Sequence, residues 1–183
     1  IVSVAAGISL NQLKETLPLA SIVRAMPNLA TSVGKGITGL YVGEHALRAQ
    51  ALGLDEVFRL LGLVEHVNNE SQLAALTVVA ASGIAFYCCL SEILQQVAEN
   101  HGFPLPAVER MIQQTAQGAA VMVDETSVTW SQLRKQVTSP GGTTEAALRS
   151  MSDAGVDKIV CASINLAINK ALDICNNDYS MVV

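Results

Sequence analysis

Glu70 to Glu92 reads E-S-Q-L-A-A-L-T-V-V-A-A-S-G-I-A-F-Y-C-C-L-S-E, with no charged residue between its ends. Leu73, Leu76, Ala80, Gly83-Ile84, Tyr87, Ser91, Leu94 and Val97-Ala98 recur at helical spacing as far as His101-Gly102. The stretch is long enough to cross a bilayer. Its content argues otherwise: Ser71, Gln72, Thr77, Ser82 and Ser91 interrupt it, and both flanks are acidic. A span carries basic flanks and aromatic belts. The pattern therefore predicts a central helix buried on nearly all sides, partly by a second subunit, and no membrane segment.

Before Glu70 the pattern is different. Ile1 to Ile8 opens as a short apolar β-rich run, and Leu10 to Leu17 is a short helical segment closed by Pro18. Ser21 to Met26 and Gly36 to Val42 are strand candidates, as is Leu63 to Val67. Glu44 to Leu61 carries helical spacing broken by Gly53. Strands alternating with short helices predict an α/β region. Gly34, Gly36 and Gly39 spell G-x-G-x-x-G, but a phosphate cradle needs a strand before it and a helix after it. Here Pro27-Asn28 and a loop precede, and β-type residues follow, so the trio reads as a loop and strand edge.

After the central helix, Pro104 and Pro106 start another, with Val108, Met111-Ile112, Thr115-Ala116, Ala119 and Met122-Val123 on one face. Met111 and Met122 read as core filler. Ser131 to Gln136 is a short polar helix or turn, Thr144 to Met151 a helix, and Val156 to Ile174 a last helix with Asn176 to Val183 as a tail. The division falls near Glu70: residues 1–69 are α/β, residues 70–183 all helix.

Half of the 183 residues are hydrophobic, 15% are charged and 4% aromatic. That leaves more apolar surface than a monomer of this size hides, which predicts an intimate oligomer. A net charge of -5 argues against nucleic acid, which needs a basic stripe. Cys88, Cys89, Cys161 and Cys175 show no C-x-x-C spacing, and His45, His66 and His101 are scattered. The expectation is no metal, no disulfide framework, and buried free thiols in a reducing, cytoplasmic setting. The chain opens at Ile1 inside an apolar run and is expected to be part of a longer protein.

Val137 to Thr144 (V-T-S-P-G-G-T-T) packs a proline, two glycines and four hydroxyl residues into a link between helices. A Gly-Gly turn feeding a helix start presents unpaired N–H groups, a small anion site. The plainer reading is a tight turn capped by Thr143 or Thr144.

Four segments in order carry a family resemblance. S-V-A-A-G-I (Ser3 to Ile8), R-A-M-P-N (Arg24 to Asn28), A-S-G-I-A-F (Ala81 to Phe86) and L-R-K-Q-V-T-S-P-G-G-T-T (Leu133 to Thr144) resemble motifs of the pyrroline-5-carboxylate reductases, which reduce a cyclic imine to proline with a nicotinamide cofactor. The chain departs from G-S-G-P-A-Y at Ala81 and Ile84, the second standing where the family has proline.

The resemblance implies the C-terminal remnant of a Rossmann-type dinucleotide-binding domain at 1–69. It implies a helical substrate-binding and dimerisation domain at 70–183, giving a homodimer or higher homo-oligomer. It assigns the substrate carboxylate to N–H groups around Gly141, Gly142 and Thr143, with Ser139 in support, and the ring nitrogen to the catalytic Thr144 hydroxyl. Ala5, Ala6, Met26, Pro27 and Asn28 would line the nicotinamide of NADPH or NADH. The main cofactor fingerprint would lie upstream of Ile1, so the isolated chain is expected to be inactive.

A second reading is a non-catalytic homologue serving as an oligomerisation or regulatory module. A hydroxy-acid dehydrogenase of similar plan is disfavoured, because Ser71 to Ala98 offers no lysine for its chemistry.

Overall fold

The computed structural model describes residues 1–43 and 53–176. They belong to two compact units: Ile1–Ala85 together with the chain from Ala162 onward, and Phe86–Cys161. The switch from mixed structure to helix falls at Glu70.

The first unit is built on a four-stranded sheet, ordered β1 (Val2–Ser3), β2 (Val23–Pro27), β3 (Gly36–Val42), β4 (Gly62–Val67). β1 and β2 are parallel, with Val2 opposite Val23 and Ser3 opposite Arg24. Their crossover is α1 (Leu10–Thr16), started by a capping box: Gln12 N–H donates to Ser9 Oγ and Ser9 N–H donates to Gln12 Oε1. β3 and β4 are also parallel, and α2 (Leu54–Arg59) lies between them in sequence. The part of the expected Glu44 to Leu61 helix at 44–52 lies outside the described residues; α2 begins directly after Gly53.

β2 and β3 are antiparallel, so the Rossmann-type sheet is mixed rather than all parallel. The reason is length. Asn28 to Lys35, a single 3₁₀ turn (Leu29–Val33) closed by left-handed Gly34, is too short for a crossover. This also disposes of the G-x-G-x-x-G lookalike as a phosphate cradle. A Cβ on Gly36 would lie 2.3 Å from Thr31 Cγ2, and one on Gly39 would lie 2.9 Å from Leu76 Cδ2. Those glycines serve close packing, and they sit in an internal strand rather than at the sheet's edge. Val23, Ala25 and Leu40 form the buried centre of the sheet, with Val42, Leu54, Phe58 and Val64 packed against it.

α3 (Glu70–Leu76) is capped by Asn69, whose Oδ1 accepts Gln72 N–H at 2.8 Å. It widens into a π turn at Thr77–Ser82 before α4 (Gly83–Asn100). Asn28 Nδ2 donates to Ala80 O at 3.1 Å, and Ile37 N–H donates to Asn28 Oδ1 at 3.1 Å. One side chain thus ties the end of R-A-M-P-N to Ala80, the residue just before A-S-G-I-A-F.

The tie sits four residues before Ile84. A mid-helix proline costs about 3 kcal/mol because it lacks the N–H and presses on the carbonyl four residues back. Here that carbonyl belongs to Ala80, already held by Asn28 in a widened turn. Ile84→Pro is therefore expected to cost about 1 kcal/mol or less in chemical denaturation. A loss of the full helix-breaking size would contradict this view of the turn.

The remaining helices are α5 (Leu105–Thr126), α6 (Trp130–Gln136), α7 (Thr143–Asp153) and α8 (Val156–Asn176). Within Phe86–Cys161 the buried hydrophobic side chains among the described residues are Val108 and Leu133. The expectation that the central helix is buried on nearly all sides is therefore corrected for the single chain. Phe86, Tyr87, Leu90, Ile93, Leu94 and Val97 are all exposed, and 22% of the most apolar window of Glu70–Asn100 is buried. That helix is long and apolar enough, by length and composition, to cross a membrane.

The same openness corrects two further expectations. Cys88, Cys89 and Cys161 are free but exposed, and Met111 and Met122 are exposed rather than core filler. Their helical faces have no cover among the described residues.

Candidate functional site

The Val137–Thr144 link is shaped by its own hydrogen bonds. α6 starts at a second capping box on Thr129 and ends at Val137. Pro140 and Gly141 then form a tight turn in which Gly142 N–H donates to Ser139 O at 3.0 Å. Gly141 has φ +73°, the left-handed region that favours glycine. A Cβ on Gly142 would lie 2.6 Å from Ser139 Oγ and 3.1 Å from Ser139 O, so a larger residue here would displace the Ser139 hydroxyl.

Gly142 is the N-cap of α7, and no side chain caps the helix. The expected cap by Thr143 or Thr144 is not what the structure uses. Both threonines fall inside the first turn of α7, where N–H groups have no intrahelical acceptor.

Sequence reasoning passed over Glu145. Its Oε2 accepts the Gly141 N–H at 2.7 Å, and its Oε1 lies 3.8 Å from Arg149 Nη2. Two of the amides assigned to substrate, Gly141 and Gly142, thus have partners within the chain. The Thr143 and Thr144 amides have none among the described residues. Ser139 and Thr143 are exposed, Thr144 half-buried. Beside them runs an open groove of about 520 Å³, lined by Gly141, Gly142, Glu145, Ala146, Arg149, Ser150 and Asp153. The signal available for Glu145 was an acid three residues after the N-cap and four after Gly141.

The other candidate residues lie in the first unit, at the carboxyl ends of β1 and β2. Because these strands are parallel, Ala5-Ala6 and Met26-Pro27-Asn28 lie at one edge of the sheet, where ligands of α/β folds bind. Ala6 and Met26 line a cavity of about 140 Å³ with Gly7, Arg24, Glu70 and Thr77 among its walls. The Asn28 side chain is buried and spends both amide functions inside the fold.

Arg24 is buried to 2% exposure and paired with Glu70 through Nη1, while Nη2 donates to Ala5 O at 3.4 Å. Glu70 Oε1 also accepts Leu10 N–H at 2.7 Å. One ion pair therefore joins β2, the Ala5 loop, the start of α1 and the start of α3. Among the described residues no group of three His, Cys, Asp or Glu is placed to hold a metal ion.

The cavity is of the size that holds one six-membered ring, and of the five residues expected to line the nicotinamide, Ala6 and Met26 line it. Gly36 and Gly39, filled by packing, leave no room for the phosphates, and Gly34 only closes the 3₁₀ turn before them.

Residues 70–174, more than half of the chain, match the family model for pyrroline-5-carboxylate reductase dimerisation. The pyrroline-5-carboxylate reductase of Pseudomonas aeruginosa is 33% identical over 175 residues, covering 95% of this chain and 64% of that protein. That of Haemophilus influenzae is 35% identical over 150 residues, covering 81% and 55%. The chain thus spans less than two thirds of the length of these relatives.

The solved pyrroline-5-carboxylate reductase of Coxiella burnetii superposes with a TM-score of 0.89 at 34% identity, over 96% of this chain and 66% of that one. The Plasmodium falciparum pyrroline carboxylate reductase, solved with NADP bound, shares the fold at TM-score 0.87 and 22% identity, over 96% and 67%. The sheet, the helices after Glu70 and these matches lead to one conclusion: the chain belongs to the pyrroline-5-carboxylate reductase family.

Proposed function

We propose that this chain is the substrate-binding and dimerisation part of an oxidoreductase that reduces 1-pyrroline-5-carboxylate to proline. Residues 1–69 would be the end of its dinucleotide-binding domain and residues 70–183 its helical domain. The observation that carries the reading is the Ser139–Thr144 turn. It leaves the Thr143 and Thr144 amides open at the head of an eleven-residue helix, beside Ser139. Such a helix start favours an anion.

In this reading the Thr143 amide and Ser139 Oγ hold the substrate carboxylate, while Gly141 and Gly142 give the turn its shape. The ring nitrogen, protonated as an iminium, donates to Thr144 Oγ1. A protonated imine is already electrophilic, so the side chains need only fix the ring in place. Bound NADPH or NADH supplies the hydride to the imine carbon. Ala5, Ala6, Met26 and Pro27 would flank the nicotinamide, with Asn28 holding that edge of the sheet in shape. After reduction the ring nitrogen keeps its proton, hydrogen-bonded to Thr144 Oγ1, and the neutral amine takes a second proton from solvent as proline leaves.

The helical domain would pair with a second copy. The exposed stripe of Phe86, Tyr87, Leu90, Ile93, Leu94 and Val97 is an apolar face that a homodimer, or a larger homo-oligomer, would cover. With that face covered by protein, the long helix needs no membrane, and a cytoplasmic setting suits the free thiols. The net charge of -5 disfavours nucleic acid as a partner.

Light scattering combined with proline titration of the full-length protein tests the assignment. The expected result is a dimer or larger homo-oligomer that binds proline. A stable dimer that ignores proline would support the oligomerisation-module reading instead.

A further inference from the structure

We infer that Glu145 is a positioning residue that sets the Ser139–Thr144 turn for substrate. The inference rests on the reductase reading and adds a residue to it. A Pro-Gly-Gly turn is intrinsically loose at its glycines. Its internal tie is one bond, from Gly142 N–H to Ser139 O. Glu145 supplies a second. From the first turn of α7 its carboxylate reaches back to the Gly141 N–H at 2.7 Å, a charge-assisted bond to the residue with φ +73°.

With Gly141 and Gly142 both engaged, the direction of the next two amides is set by the helix that follows. Thr143 and Thr144 are then presented in one fixed arrangement with Ser139, rather than in the many that a Gly-Gly link allows. Preorganised donors cost no reordering when the ligand arrives.

A carboxylate this near an anion position also raises the opposite possibility, that it repels or competes with the substrate. Arg149, one turn further along α7, offsets that charge: its Nη2 is 3.8 Å from Glu145 Oε1. Glu145 therefore acts on the substrate through Gly141, without touching it. The two possibilities predict opposite signs for KM.

Glu145→Ala and Glu145→Gln in the full-length protein decide between them. Glu145→Ala is expected to raise KM for pyrroline-5-carboxylate about tenfold, the size of one charge-assisted hydrogen bond, with kcat within about threefold of wild type. Glu145→Gln keeps an acceptor for the Gly141 N–H and is expected to recover most of that loss. An unchanged or lower KM in Glu145→Ala would overturn the inference.

Hydrogen exchange over the peptide containing Gly141 and Gly142 gives a readout that needs no turnover. Exchange should be faster in Glu145→Ala and near wild type in Glu145→Gln. Equal exchange in all three proteins would also overturn it. Absence of wild-type turnover would instead count against the reductase reading, with the exchange result still judging the turn.

Discussion

Thr144→Ala in the full-length protein is expected to lower kcat/KM for pyrroline-5-carboxylate about 100-fold, with the fold intact. Thr144 is half-buried in the first turn of α7, and its hydroxyl makes no hydrogen bond within the chain among the described residues. Removing it leaves no protein donor orphaned, so stability should change little. What is lost is the partner of the ring nitrogen where charge changes most during reduction. Single groups of that kind contribute about 10²–10³ in rate. Thr144→Ser keeps an oxygen at the same position and should recover most of the activity. Steady-state NADPH oxidation, with circular dichroism as the control for folding, reads the effect. Activity within a few-fold of wild type would remove Thr144 from the chemistry.

The second large effect concerns the sheet edge. Glu70→Ala is expected to destabilise the protein by about 3 kcal/mol, since it strands a buried guanidinium. Arg24 is 2% exposed, and its Nε already has no partner among the described residues. Losing Glu70 would leave Nη1 without one as well. Leu10 N–H, at the start of α1, would lose its acceptor too. Because Glu70 itself is partly exposed, with 28% of its side chain accessible, the low end of the usual range for a broken buried pair applies.

Replacing both partners, Arg24→Met with Glu70→Leu, removes the stranded charge and should cost less than the single change. Chemical denaturation of wild type, Arg24→Met, Glu70→Leu and the double variant measures the coupling. A double variant as damaged as the sum of its parts would show that the pair does not act as a unit. The Ala5 loop, proposed to flank the nicotinamide, would feel the single change directly, because Arg24 also donates to Ala5 O.

Much of the architecture was legible in local pattern. β3 occupies Gly36–Val42 because G-I-T-G-L-Y-V is β-rich and bounded by turn residues. α5 begins at Leu105 after Pro104, as the two prolines announce. The switch to helix at Glu70 follows from a change of period.

What was not legible depends on groups the local pattern does not contain. The mixed sheet follows from a link too short for a crossover, which became visible only once the strand partners were known. The exposure of α4, the cysteines and Met111 and Met122 reflects apolar faces without cover among the described residues, and a sequence pattern marks such a face as apolar without saying what meets it. At the site, the V-T-S-P-G-G-T-T string identified the turn, but not how its amides are shared. Glu145 takes one and Ser139 another, a division set by side-chain reach in three dimensions. Arg24 and Glu70, 46 positions apart, pair for the same reason.

The most direct measurement is NADPH oxidation by the full-length protein on addition of pyrroline-5-carboxylate, with proline quantified in the same reaction. The reductase reading predicts turnover that saturates with the imine and forms proline in step with NADPH consumed. A folded, dimeric protein that oxidises no NADPH or NADH with this or related cyclic imines would contradict it.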